Sequence, residues 1–94
     1  MNLAIPPHSP DQRRRDILAY VIAYKTENQG RSPTVRQIGR ATGISSNYIV
    51  VRYLGQLAAR GYIEWIRDGG KVLDLRIPGA KWVSPDAAQR EASQ

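Results

Sequence analysis

Between Thr34 and Gly70 the chain sets a helix cap, a glycine, a second cap, another glycine and an Asp-Gly-Gly turn at intervals that admit one order of elements. In Thr34-Val35-Arg36-Gln37 the threonine hydroxyl can accept one orphan amide while Gln37 reaches back to the cap residue, so a helix starts near Val35. Gly43 stands where the chain must turn sharply, and Ile44 behind it can plug a core. Ser45 or Ser46 then supplies a second cap. The run from Asn47 to Arg60 carries Val50, Leu54, Leu57 and Ala58 at helical spacing, which predicts a longer helix with one buried face. Gly61 stops it. Tyr62 to Arg67 and Lys71 to Ile77 read as two strands joined through Asp68-Gly69-Gly70, a strong short-range hairpin signal.

Upstream, Ser9-Pro10-Asp11-Gln12 repeats the capping logic, with proline at the first helical position and an acid in the first turn. That helix is expected to run to about Asn28, with Ile17, Leu18, Val21, Ile22 and Tyr24 as its apolar stripe and Gly30 at its end. Three helices followed by a two-stranded hairpin make an α+β fold, mostly α, of the winged helix-turn-helix kind. The expected organisation is an N-terminal arm over residues 1–9, one domain over 10–78, and a polar tail over 79–94. The tail reads as flexible or as one short helix after Ser84-Pro85-Asp86.

Composition narrows the function. The formal net charge is +6, and 11 of the 14 basic residues are arginine, which pairs bidentately with phosphate and so suits a nucleic-acid partner. No apolar run approaches the ~18 residues that span a bilayer, and the N-terminus lacks the order of a signal peptide, so a cytosolic protein without membrane contact is expected. Zero cysteines remove disulfides, thiolate metal sites and cysteine nucleophiles. His8 is the only histidine, Ser9 is better used as a cap, and the carboxylates are scattered. No enzyme activity, metal site, cofactor or small-molecule substrate is expected.

From Arg13 through Ile77 the chain resembles the N-terminal DNA-binding domain of the LexA repressor family. The resemblance is carried by Gly30, Pro33 and Thr34 in a Gly-x-x-Pro-Thr loop, by Ile38-Gly39 and by Gly43-Ile44-Ser45-Ser46. It continues in Leu54-x-x-Leu57-Ala58, Arg60-Gly61-Tyr62-Ile63-Glu64 and the glycine-bearing wing. It implies major-groove readout by the third helix, with the wing on the adjacent backbone. The family's reading positions fall here on Ser46, Tyr48, Ile49, Val51 and Arg52. Its polar and acidic readers are replaced by Tyr48, Ile49 and Val51, so its operator is not carried over. Full-length relatives continue into a self-cleaving serine–lysine domain. This chain is expected to be too short for one, and so to lack that domain's cleavage switch and dimerisation surface.

Helical geometry places Tyr48, Val51, Arg52 and Gly55 away from the Val50-Leu54-Leu57 face. Arg52 is the candidate for a bidentate contact to guanine, against the plainer reading of a solvated or phosphate-paired arginine. Tyr48 can pack on a thymine methyl or fold back on Ile44; Ile49 and Val51 can meet thymine methyls or a protein partner. Gly55 fits either a close approach to the sugar-phosphate wall or simple tolerance. Backbone contacts are expected from Ser32, Thr34, Arg36 and Arg40 around the second helix, from Ser45 and Asn47 at the turn, and from Arg67 and Lys71 on the wing. Arg13 and Arg14 join them, because the Arg13-Arg14-Arg15 triplet opposes the helix dipole unless a phosphate lies near. Lys25 reads as surface, and Tyr20, Tyr24, Tyr62 and Trp65 as core or its edge.

The leading expectation is a sequence-specific double-stranded DNA binder, a small prokaryotic or phage-type transcriptional regulator. Two alternatives stand beside it: a winged helix used as a protein-interaction module, and a nonspecific architectural DNA binder. Oligomeric state is open, with pairing of two copies on DNA as the hypothesis, since a monomer on one half-site binds weakly.

Overall fold

The computed structural model describes residues 9–79, so the expectations for the arm before Ser9 and for most of the tail lie outside the described residues. Three helices, α1 (Pro10–Glu27), α2 (Val35–Thr42) and α3 (Asn47–Ala59), precede the strands β1 (Glu64–Asp68) and β2 (Lys71–Arg76). The caps explain the boundaries. Ser9 Oγ accepts the Gln12 amide at 3.1 Å at the start of α1. Both halves of the Thr34–Gln37 capping box form, at 3.1 and 2.9 Å. Of the two candidate serines it is Ser46 that caps α3, accepting the Ile49 amide. Gly43 ends α2 with φ 75°, a left-handed conformation that lets the chain reverse into the turn.

The helices share one core of Ile17, Val21, Ile38, Ile44, Val50, Leu54 and Leu57, which Ile63 and Leu75 close from the hairpin. Helix α1 departs from its expected stripe. Ile22 is exposed, and the buried line runs Ile17, Val21, Lys25 at a strict four-residue interval. Lys25 is therefore no surface residue: it is 3% exposed. Tyr62 also departs, since it precedes β1 on the bend after α3 and is exposed rather than packed in the core.

The strands pair antiparallel, Glu64 opposite Arg76 at one end and Asp68 opposite Lys71 at the other, across the two-residue turn Gly69-Gly70. Ile66 pairs with Asp74 and Arg67 with Val72, so Leu73 is the extra residue of a bulge. The strands are shorter than the two apolar runs because Tyr62 and Ile63 are taken up in turning the chain out of α3.

Candidate nucleic-acid interface

The candidate interface lies where the start of α2, the start of α3 and the inner edge of the wing converge. A trough of about 490 Å³ is walled by Pro33 to Arg36 from α2 and its lead-in, by Asn47 and Val51 of α3, and by Gly70 to Leu75 of the wing. A second recess of about 540 Å³ surrounds the turn, lined by Arg36, Gly39, Arg40, Gly43, Ile44, Ser45 and Asn47. Arg36 and Asn47 line both. Residues that sequence reading picked from separate elements, namely Thr34, Arg36, Arg40, Ser45, Asn47, Val51 and Lys71, thus gather around two adjoining hollows, with exposed cations at Arg36, Arg40 and Lys71.

On α3 the candidate readers separate. Tyr48 is 73% exposed, so it does not fold back on Ile44, and Arg52 is exposed one turn later. Val51 is half-buried on the trough wall. Ile49 is partly buried and packs against the core, which accounts for an apolar residue at this position. The Ser46 hydroxyl is occupied as the cap.

Gly55 on α3 has a reason within the fold for lacking a side chain. A Cβ there would lie 3.2 Å from Cη2 and 3.4 Å from Cζ2 of Trp65, so the missing side chain admits the indole of β1. The Arg67 guanidinium lies 4.6 Å from the Trp65 ring centroid, in cation–π range. One stack therefore runs from α3 through Trp65 to Arg67.

Of the predicted backbone contacts, Arg13, Arg14 and Arg67 line neither hollow, and Ser32 is engaged within the fold. Arg14 donates to Gln56 Oε1 at 2.6 Å and pairs with Asp11, and its side chain is only 12% exposed. It ties α1 to α3, and Asp11 and Gln56 offset the cation at the helix start. Arg13 is half-buried on the same helix and lines neither hollow. Ser32 borders the trough, but its hydroxyl is engaged internally, with Asp74 Oδ1 at 2.6 Å and the Leu75 amide at 3.0 Å.

The partners of Ser32 expose what sequence reading missed. Lys25 Nζ donates to Leu75 O at 2.6 Å, to Gly30 O at 2.8 Å and to Ser32 Oγ at 3.3 Å. Burial pushes the Lys25 ammonium below the usual lysine range, an effect opposed by Asp74 and reinforced by Arg76. Burial alone would raise the Asp74 carboxyl. The Ser32 hydroxyl, the Leu75 amide, Lys25 and Arg76 together outweigh it and hold this group below the usual carboxylate range. The available signal was the four-residue interval from Ile17 through Val21 to Lys25.

Residues 11–70 match the LexA DNA binding domain family. The chain belongs to that family. LexA repressors of Bacillus mycoides (strain KBAB4), Bacillus thuringiensis (strain Al Hakam) and Bacillus anthracis are each 38% identical to it over 68 residues, covering 72% of this chain. The chain spans about a third of the length of these curated relatives, 32% of each. No solved structure matches it significantly. The three helices and antiparallel hairpin are the winged helix of a LexA-type DNA-binding domain. Among the described residues no helix is long and apolar enough to cross a membrane.

Proposed function

We propose that this chain is a small bacterial or phage-type transcriptional regulator of the repressor kind, which reads double-stranded DNA sequence-specifically and acts from the cytoplasm without chemistry of its own. Helix α3 enters the major groove, Arg52 contacts a guanine edge, and Tyr48 and Val51 meet neighbouring base edges, where thymine methyls are the apolar feature available. Arg36, Arg40, Ser45 and Asn47 hold the backbone on one side of α3. Thr34, Lys71 and Arg67 hold it on the wing side. The observation that carries the reading is the pair of adjoining hollows flanking the α3 N-terminus, with cations on their rims and with Arg36 and Asn47 common to both. Against the protein-interaction alternative stands the packing of Ile49 on the core, which reduces the apolar surface beside Tyr48. Two copies on DNA, one per half-site, would supply the affinity that one reading helix lacks.

Selection from a randomised duplex library at near-physiological salt tests the reading. An enriched motif is expected, with two-fold symmetry if two copies bind; retention without enrichment would leave the architectural alternative standing. On the selected duplex, Arg52→Ala is expected to cost about 1–3 kcal/mol and relax preference at one position. Lys71→Ala is expected to weaken all sequences alike and lower the salt slope by about 0.9. Equal losses on selected and random duplex for both variants would refute Arg52 as a reader.

A further inference from the structure

The hairpin meets the helical body through Ile63, Trp65 and Leu75, whose apolar contacts are non-directional. What fixes direction is polar. The loop between α1 and α2 brings Ser32 against β2, where its Oγ accepts the Leu75 amide at 3.0 Å and lies 2.6 Å from Asp74 Oδ1 and 3.0 Å from Leu75 O. A hydroxyl has one proton, and the shorter, charge-assisted bond to Asp74 takes it. Leu75 O is then served by Lys25 Nζ at 2.6 Å, and the same ammonium reaches back to Gly30 O at 2.8 Å. Loop, first helix and second strand thus meet at one buried cation.

We infer that Lys25 and Ser32 form a latch that sets the angle of the wing against the helix-turn-helix, and that the wing's share of DNA affinity depends on this latch. The lever is long. Leu75 lies four residues along β2 from Lys71, roughly 13 Å at strand rise, so a small rotation at the latch is enlarged where the backbone contact is made. Ser32, Asp74 and Leu75 border the trough at the latched end of β2, and Gly70 and Lys71 border it at the tip, so the latch also sets its width. Ser32 and Lys25 act on DNA through the wing and are positioning residues.

The inference rests on the wing touching the DNA backbone, and a double-mutant cycle on the full chain with the selected duplex separates the two. Lys71→Ala in the parent background is expected to weaken binding and lower the salt slope by about 0.9. In the Ser32→Ala background, which retains the Lys25 bonds to Gly30 O and Leu75 O, the same substitution is expected to change affinity by less than about twofold. Ser32→Ala alone is expected to lower the salt slope by up to ~1.8, the share of Arg67 and Lys71 together. A loss of packing alone would not move that slope. Ser32→Thr, which keeps the hydroxyl, is expected to retain the full Lys71 effect, and circular dichroism checks that each variant is folded. An undiminished Lys71→Ala effect in Ser32→Ala overturns the latch and leaves the wing contact standing. A silent Lys71→Ala in the parent overturns the wing contact and the latch with it.

Discussion

Gly39→Ala should destabilise the protein even though it replaces glycine by alanine inside a helix. Helix propensity alone favours the variant by about 1 kcal/mol. Gly39 is buried in the middle of α2, and a Cβ there would stand 2.7 Å from Ile44 O and 3.5 Å from Val50 Cγ2. The second distance is ordinary contact. The first is a collision with backbone, and the carbonyl has little freedom to retreat. The Ile44 amide is held by Gly39 O at 2.9 Å, the Ile44 side chain is buried in the core, and Ser46 two residues on caps α3. Relief must come from moving the start of α3 away from α2, an overpacking cost of roughly 1–3 kcal/mol or more. Setting the propensity gain against the upper part of that range, a net loss of about 1–2 kcal/mol is expected. For a domain of this size that lowers Tm by roughly 5–15 °C. Gly43→Ala is the control, because nothing lies within 4 Å of its Cβ and its φ of 75° is the whole difficulty. It should lose about 1–2 kcal/mol through conformation alone, while the close approach of α2 to the turn is retained. Thermal and urea unfolding measure stability, and duplex titration measures whether moving α3 against α2 weakens binding. A Gly39→Ala protein as stable as the parent, or more so, would refute the close-approach argument.

Arg14→Ala should cost about 1–2 kcal/mol of stability through the lost Gln56 and Asp11 partners, while the folded variant binds duplex with unchanged salt slope; a lowered slope would return Arg14 to the backbone contacts. Gly55→Val should cost roughly 1–3 kcal/mol in urea unfolding, because the added methyls enter the space of the Trp65 ring, and an unchanged midpoint would show that the ring moves aside freely. Asp74 has its carboxyl held low in the folded state, so its stabilisation is complete above the unfolded-state pKa of ~3.9 and is lost as pH falls through the lower folded value. The acid limb of stability should therefore be shallower in Asp74→Asn than in the parent, and superimposable limbs below pH ~4 would remove the Asp74 contribution.

The order of elements was legible because it is written in local chemistry. Thr34 with Gln37, Ser9 with Pro10, Gly43, and the Asp68-Gly69-Gly70 turn act over three or four residues, and no distant partner is needed to interpret them. The candidate interface followed from the same order, since its two hollows lie where α2 and α3 begin. What the sequence by itself determined is therefore the order of elements and the winged helix they make. The tertiary structure decided which cations are free to meet a ligand. Arg14 and Lys25 are as basic in sequence as Arg36 and Lys71, yet one is bound by Gln56 across 42 positions and the other by Leu75 across 50. Gly55 likewise has no local reason to be glycine; the reason arrives from β1 with Trp65. Caps and turns are interactions between near neighbours along the chain, whereas burial, the pairing of a charge and the room for a side chain are set by whatever the fold packs against them.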